Sequence, residues 1–264
     1  MADCRLEIDS RGVGSLTLDR PQQHNAFDDD LIVDLIDKLD QLATDSAVRI
    51  VVLRASGKSF SAGADLNWMQ RMADFDEAQN YADAMQLAEL MRRLNHLPKP
   101  TIARVQGAAF GGGVGLIACC DVALAAASAV FSLSEVRLGL IPAVISPYVV
   151  RAIGERAARR YMLTAERFDA AQALRLGLLH EVVDQQDLDV RLDELIEILL
   201  EAGPSAQAAA KDLILTVAGK PVERDLIEET ASRIASVRVS QEGREGIAAF
   251  LEKRKPGWVK PGDV

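Results

Sequence analysis

The chain carries only 3 cysteines and 3 histidines in 264 residues. Cys4 stands alone and Cys119 and Cys120 are adjacent, so no disulfide framework can be drawn and buried, reduced thiols are expected. His24, His96 and His180 never fall at i and i+4, and local spacing gives no metal site. Positive charge is also scarce, with 30 Lys and Arg against 39 Asp and Glu and a formal net charge of −9. Nucleic acids and anionic membranes are bound through positive charge that displaces counterions, so neither partner is expected. Long apolar runs are missing too. The stretch from Gly107 to Cys120 is 14 residues long, holds five glycines and runs into Asp121, which is too short to span a bilayer. The opening MADCRLEIDSRG has early acids and no apolar segment, so it does not read as a signal peptide and a cytoplasmic protein is expected. Three chemical motifs fail as well. Gly57-Lys58-Ser59 ends like a phosphate loop, but Val52 stands where its first glycine belongs. Leu116 breaks the G-x-G-x-x-G pattern that starts at Gly111, and no G-x-S-x-G elbow occurs.

What is present is an ordinary globular composition, 49% hydrophobic and 26% charged, at a length that one domain can fill. Val13 to Leu18 and Ile50 to Leu53 read as strands. Between them Leu31, Leu35, Leu39 and Leu42 recur at helical spacing behind Asp28, Asp29 and Asp30, acids that favour a helix start. A second helix is expected from about Asp76 to Leu94, followed by prolines and the strand Thr101 to Val105. A glycine-rich turn, a small-residue helix (VGLIACC), a strand (DVALA) and a strand-like VFSLSE come next, and this alternation argues for an α/β class. From Ala157 onward the pattern is helical, with one stripe at Leu192, Leu195, Ile196, Leu199 and Leu200 and another from Leu226 to Ile234. The organisation read from this is a core over residues 1–195 and a helical region over 196–264 that packs on the core or on a neighbouring subunit.

Two glycine turns stand where strands give way to helices: SFSAGADL at Ser59 to Leu66 and QGAAFGGGVGL at Gln106 to Leu116. Backbone N–H groups at such junctions are unpaired and can face an anion, so two turns could aim two donors at one oxygen. Glu135 in VFSLSEVRLG sits between apolar segments, which makes it a candidate acid or base.

Together with LDRPQQHNAF, LTAERFDAAQALRLGLLHEVV and EGIAAFLEKRKPGW, these stretches resemble the crotonase (enoyl-CoA hydratase/isomerase) superfamily over essentially the whole chain. The resemblance implies a spiral of ββα units with a helical C-terminal region, assembled as trimers or hexamers, acting on an acyl-CoA thioester with no cofactor beyond the CoA of the substrate. It implies that the N–H groups of Ala64 and Gly112 receive the charge of an enolate-like carbonyl oxygen, with Glu135 transferring the proton. By the same resemblance Ala26, Ala62, Asp65, Leu66, Trp68, Gly111 and Gly115 belong to the substrate site, with Met69 and Tyr148 near the acyl group. Phe250 and Lys253 match positions that approach the CoA of a neighbouring subunit, although a solvated charge is an equal reading of Lys253.

One departure stands out. Typical hydratases of the family place a first glutamate where this chain has Gly115, leaving Glu135 as the only matching carboxyl. SAGADLNWM, SEVRLGLIPAVISPYV and RYMLTAERF look like the bacterial branch of methylglutaconyl-CoA and isohexenylglutaconyl-CoA hydratases, which also tends to carry glycine there. The expectation is that the space at Gly115 admits a branched substrate or its distal carboxylate. A double-bond isomerase using Glu135 alone, a generic enoyl-CoA hydratase, and a protein that only binds CoA or RNA are the alternatives. The net charge of −9 and the absence of a basic, aromatic-studded stretch argue against RNA.

Overall fold

The computed structural model describes residues 3–259. Its first half repeats one unit, two strands followed by a helix. β1 (Cys4–Ile8) and β2 (Val13–Leu18) precede α1 (Asp29–Thr44). β3 (Ile50–Ala55) and β4 (Ser59–Ala62) precede α2 (Leu66–Ala73) and α3 (Glu77–Asn95). β5 (Thr101–Val105) and β6 (Ala108–Phe110) precede α4 (Gly112–Cys119). β7 (Val122–Ala126) and β8 (Val130–Ser132) lead through a short 3-10 turn, Glu135–Leu138, to α5 (Ser146–Thr164). The remainder comprises β9 (Phe168–Asp169), α6 (Ala170–Leu176), β10 (Glu181–Val183), α7 (Leu188–Leu200), α8 (Pro204–Val217), α9 (Arg224–Val239) and α10 (Gln241–Leu251).

Both strands of the first unit, the first strands of the later units and β10 build a six-stranded sheet in the order β1-β2-β3-β5-β7-β10, parallel except for the β1–β2 pair. The second strands of the later units and β9 build a separate sheet, β4-β6-β8-β9, in which β4, β6 and β8 run parallel. Successive units therefore stack, and each strand-to-helix junction lies beside the next. The resemblance to a ββα spiral is met in this arrangement, and the fold is a mixed α/β one.

Sequence patterning accounts for the layers. Side chains alternate across a strand, so Val51, Leu53, Ala103, Val105, Ala123 and Ala125 face the main core with α1 and α4. Ile50, Val52, Ile102, Leu124 and Ala126 face the other way and are covered by Leu188, Leu192, Ile196 and Leu200 of α7. Residue 196 thus lies inside a helix that covers the sheet, and the division expected at 195/196 cuts through α7. Asp28 starts α1 as its acids suggest, its Oδ1 accepting from the Leu31 N–H at 2.8 Å. α3 opens with a reciprocal cap between Asp76 and Gln79. VFSLSE is a strand only to Ser132, and Glu135 opens the 3-10 turn that follows.

The three cysteines are free and buried. Among the described residues no helix is long and apolar enough to cross a membrane, and no group of three or more His, Cys, Asp or Glu side chains is placed to hold a metal ion.

Candidate active site

The stacked junctions bring four distant stretches together: Asn25 to Asp28 before α1, Gly63 to Asp65 before α2, Gly111 to Gly113 at the start of α4, and Glu135 after β8. Each of the three consecutive glycines has a different neighbour at close range. Gly111 has φ +54°, a backbone that side chains disfavour, and a Cβ there would stand 3.0 Å from Glu135 Oε1. At Gly112 it would stand 3.0 Å from Cε2 of the Phe27 ring, and at Gly113 2.4 Å from the Ser61 carbonyl oxygen. Only glycine lets α4 begin this close to β4 and to Glu135.

Ala64 lies in the turn after β4. Phe27 holds the residues on either side of it: the Phe27 N–H donates to Gly63 O at 3.2 Å, and the Asp65 N–H donates to Phe27 O at 2.7 Å. The Ala64 N–H itself, and that of Gly112 in the first turn of α4, have no protein acceptor among the described residues. Two free N–H groups, one of them next to the glycine that faces Glu135, are a setting in which negative charge can develop on a substrate oxygen.

Glu135 is half-buried, and its Oε2 is buried with no hydrogen-bond partner among the described residues. Burial in these apolar surroundings raises its pKa above the ordinary carboxylate value, against a smaller lowering by its own backbone N–H. A carboxyl group that is desolvated, unpaired and adjacent to the glycine turn is suited to exchanging a proton rather than to holding structure.

A second layer of polar groups fixes the β4 turn, and sequence reasoning did not single these residues out. Asn25 is fully buried with φ +54°; its Nδ2 donates to Ser56 O and Ser59 O at 2.9 Å each, and its Oδ1 accepts from the Arg20 N–H at 2.8 Å. From the other side, Gln106 Nε2 donates to Ala55 O at 3.0 Å and Ser59 O at 3.0 Å. Ser61 Oγ donates to Asn25 O at 2.8 Å, and the Ala62 N–H donates to His24 O at 3.0 Å. Arg20 pairs with Asp28 and reaches Asp65 at 3.7 Å, linking the N-caps of α1 and α2. The only local signal was an Asn placed where a left-handed residue is tolerated.

The remaining expected site residues divide. Asp65 caps α2, its Oδ1 accepting from Asn67 N–H at 2.9 Å and Trp68 N–H at 3.2 Å, so its side chain already has partners. Trp68 is buried in the main core and donates from Nε1 to Asp83 Oδ1 at 3.0 Å, which ties α2 to α3. Ala26 is buried and Ala62 half-buried, both next to the β4 turn, whereas Leu66 is 77% exposed. Met69 and Tyr148 are half-buried. Phe250 lies in the last turn of α10, which packs on α8 and α9, and is 82% exposed; Lys253 follows the helix and is exposed as well.

Gly115 requires a correction. No space is left at this position: a Cβ would stand 2.3 Å from Ile145 Cγ2, 2.9 Å from Ile145 Cβ and 3.2 Å from Met91 Cε. Ile145 is itself 2% exposed and fills the volume that the sequence suggested a substrate branch would use. The glycine permits helix packing, and a sequence cannot show which distant side chain answers it.

The enoyl-CoA hydratase/isomerase family model matches residues 9–261. A crystal structure of an enoyl-CoA hydratase from Shewanella pealeana superimposes with a TM-score of 0.94 at 50% identity, covering 97% of this chain and 96% of that one. The 2,3-dehydroadipyl-CoA hydratase of Escherichia coli is 33% identical over 91% of this chain and 92% of its own length. A trans-2-decenoyl-[acyl-carrier-protein] isomerase of Streptococcus mutans is 30% identical over 93% of this chain and 94% of its own length.

Proposed function

The chain belongs to the enoyl-CoA hydratase/isomerase family, and from that premise we propose that it adds water across the double bond of a 2-enoyl-CoA, with Glu135 as its one acid/base. The observation that carries this reading is the unpartnered, desolvated Glu135 carboxyl seated against Gly111, one residue before a free helix N-terminal N–H. Ala64 and Gly112 donate to the thioester oxygen as it gains charge. Glu135 takes a proton from water while the water oxygen bonds to C3, and returns a proton to C2 as the enolate collapses. General acid–base catalysis of this kind contributes about 10²- to 10⁴-fold.

For the acyl group, the reading is a branched substrate of the 3-methylglutaconyl type. Support comes from the sequence stretches around Trp68, Ile145 and Tyr161 and from a relative whose name specifies a dehydroadipyl thioester, the CoA ester of a dicarboxylic acid. A second reading is double-bond isomerisation. It is favoured by the closure of position 115 by Ile145, which leaves one carboxyl group, and by a relative named as an isomerase.

The assembly read here is a homotrimer or a hexamer formed from two trimers, in the cytoplasm, without nucleic-acid or membrane partners and with CoA supplied only as part of the substrate. What supports self-association is that α8 and α9 bury none of their residues within one chain, while Ile234, Val239, Ile247 and Leu251 are about half exposed or more.

The test is turnover of 3-methylglutaconyl-CoA and crotonyl-CoA in ¹⁸O-water, read by mass spectrometry. Label in the product, with the higher kcat/KM on the methylglutaconyl ester, supports hydration of the branched acid. Label with a preference for crotonyl-CoA leaves a generic hydratase, and double-bond migration without label makes the enzyme an isomerase.

A further inference from the structure

Two N–H donors that serve one oxygen must be held at a fixed separation, yet Ala64 and Gly112 belong to different ββα units and no hydrogen bond joins them among the described residues. One residue touches both. The main chain of Phe27 runs as a parallel bridge beside Ala64, giving its N–H to Gly63 O and taking the Asp65 N–H on its carbonyl at 3.2 and 2.7 Å. Its ring, 3% exposed, meets Gly112: the Cβ position of that glycine lies 3.0 Å from ring Cε2 and 3.1 Å from Cδ2.

We infer that Phe27 is a positioning residue for the oxyanion site, its backbone fixing Ala64 and its ring setting how far the first turn of α4 stands from that strand. The inference rests on the proposed use of the Ala64 and Gly112 donors. An aromatic ring suits this task because it is planar and has only two side-chain torsions, so contact with its edge defines a distance. A flexible apolar side chain of similar bulk fills the core but lets α4 settle by a fraction of an ångström. Misplacement of reacting groups by about 1 Å can cost as much as 10²-fold in rate.

The neighbouring polar groups already described restrain the same turn. Asn25 and Gln106 bind the carbonyls of residues 55 to 59, and Arg20 reaches the cap of α2. They hold the turn between β3 and β4, and none of these hydrogen bonds reaches Gly112. Ser61 of β4 packs on Gly113, and the Phe27 ring is the group that meets Gly112, the donor residue itself.

The experiment compares wild type with Phe27→Leu and Phe27→Met, which remove the ring while keeping apolar bulk. Leu39→Ala serves as a control, because it weakens the same core from α1 without touching either donor. Isotope-edited infrared spectra of bound [1-¹³C]acetyl-CoA, a thioester with no double bond to hydrate, read the polarisation of the carbonyl directly. The kcat and KM for 3-methylglutaconyl-CoA are measured alongside. In wild type and Leu39→Ala the bound carbonyl is expected well below its frequency in free solution. In both Phe27 variants most of that shift is lost, kcat falls about 10- to 10²-fold and KM changes by less than about threefold. If the folded Phe27 variants keep the full shift and the full kcat, Phe27 is only a core residue and the inference is wrong. If Leu39→Ala loses the shift as much as they do, general loosening is the cause and the inference is again wrong. If wild type itself shows no shift, the donors are not used as proposed, and both readings fall together.

Discussion

The carboxyl of Glu135 rests directly on Gly111, its Oε1 lying 3.0 Å from where a Cβ on that glycine would stand. The contact places the proposed proton carrier against the residue that begins the α4 turn, so the position of the acid and the position of the Gly112 N–H are set by one piece of backbone. Gly111→Ala brings a methyl group into this contact and forces an L side chain to φ +54° and ψ −118°. The expected outcome is a stability loss of about 1–3 kcal/mol from backbone strain. The kcat is expected to fall roughly 10²-fold from displacement of the carboxyl. Denaturant unfolding and steady-state kinetics on the one variant measure both.

Glu135 should also carry a pH signature in stability. Its native pKa is raised above the unfolded value near 4.5, so between those two values the native state holds more protons than the unfolded state. Stability from this group is complete below pH 4.5 and is lost as pH rises through the native value. Glu135→Gln removes that loss. The variant is therefore expected to match wild type in melting temperature under acid conditions and to exceed it at neutral pH, while being catalytically impaired. Thermal melts across pH check this, and a variant less stable than wild type at neutral pH would show that the carboxylate is held by bonds instead of strained by burial.

Much of this arrangement was legible in the sequence, and the limits have a physical cause. Local periodicity identified α1, because Leu31, Leu35, Leu39 and Leu42 repeat as a helix does, while the apolar run Ile50 to Leu53 marked a central strand and the prolines after Leu94 marked the end of α3. β4, β6 and β8 have 4, 3 and 3 residues, too few for a period, and their pairing into a second sheet comes from long-range register. Glu135 and the two glycine turns were visible as residue types in context. The answer to Gly115 by Ile145, and the double contact of Phe27, depend on which unit stacks on which.

Gly115 and Ile145 act as a size-matched pair. Gly115→Ala gains about 1 kcal/mol of helix propensity but meets Ile145 Cγ2 at 2.3 Å. Overpacking of that kind costs about 1–3 kcal/mol, so a net loss is expected. Ile145→Ala alone is expected to destabilise through a cavity, whereas the double variant should be more stable than the sum of the two singles implies. Additive effects in a double-mutant cycle would mean that α4 and α5 simply move apart. Gly115→Glu, for the same steric reason, is expected to lose folded protein instead of gaining a second catalytic carboxyl.

Asn25 is fully buried and makes three hydrogen bonds to backbone groups. Asn25→Ala takes the partner from the Arg20 N–H and from Ser56 O, while Ser59 O keeps its bond from Gln106; at about 1–3 kcal/mol for each stranded group, a total loss of about 2 kcal/mol or more is expected in denaturant titrations. Asn25→Asp keeps the shape and the acceptor for the Arg20 N–H but turns a carboxylate oxygen toward Ser56 O and Ser59 O, so it should not restore wild-type stability. Full stability in Asn25→Asp would mean that the Nδ2 contacts contribute little.

The central claim is that one carboxyl group, Glu135, moves the proton for a reaction whose charge rests on two backbone N–H groups. It is tested most directly by the single-turnover rate of water addition to 3-methylglutaconyl-CoA in Glu135→Gln, with binding of the ester measured in parallel. A fall of about 10²-fold or more is expected, with affinity nearly unchanged. Water addition at close to the wild-type rate in that variant would contradict the claim.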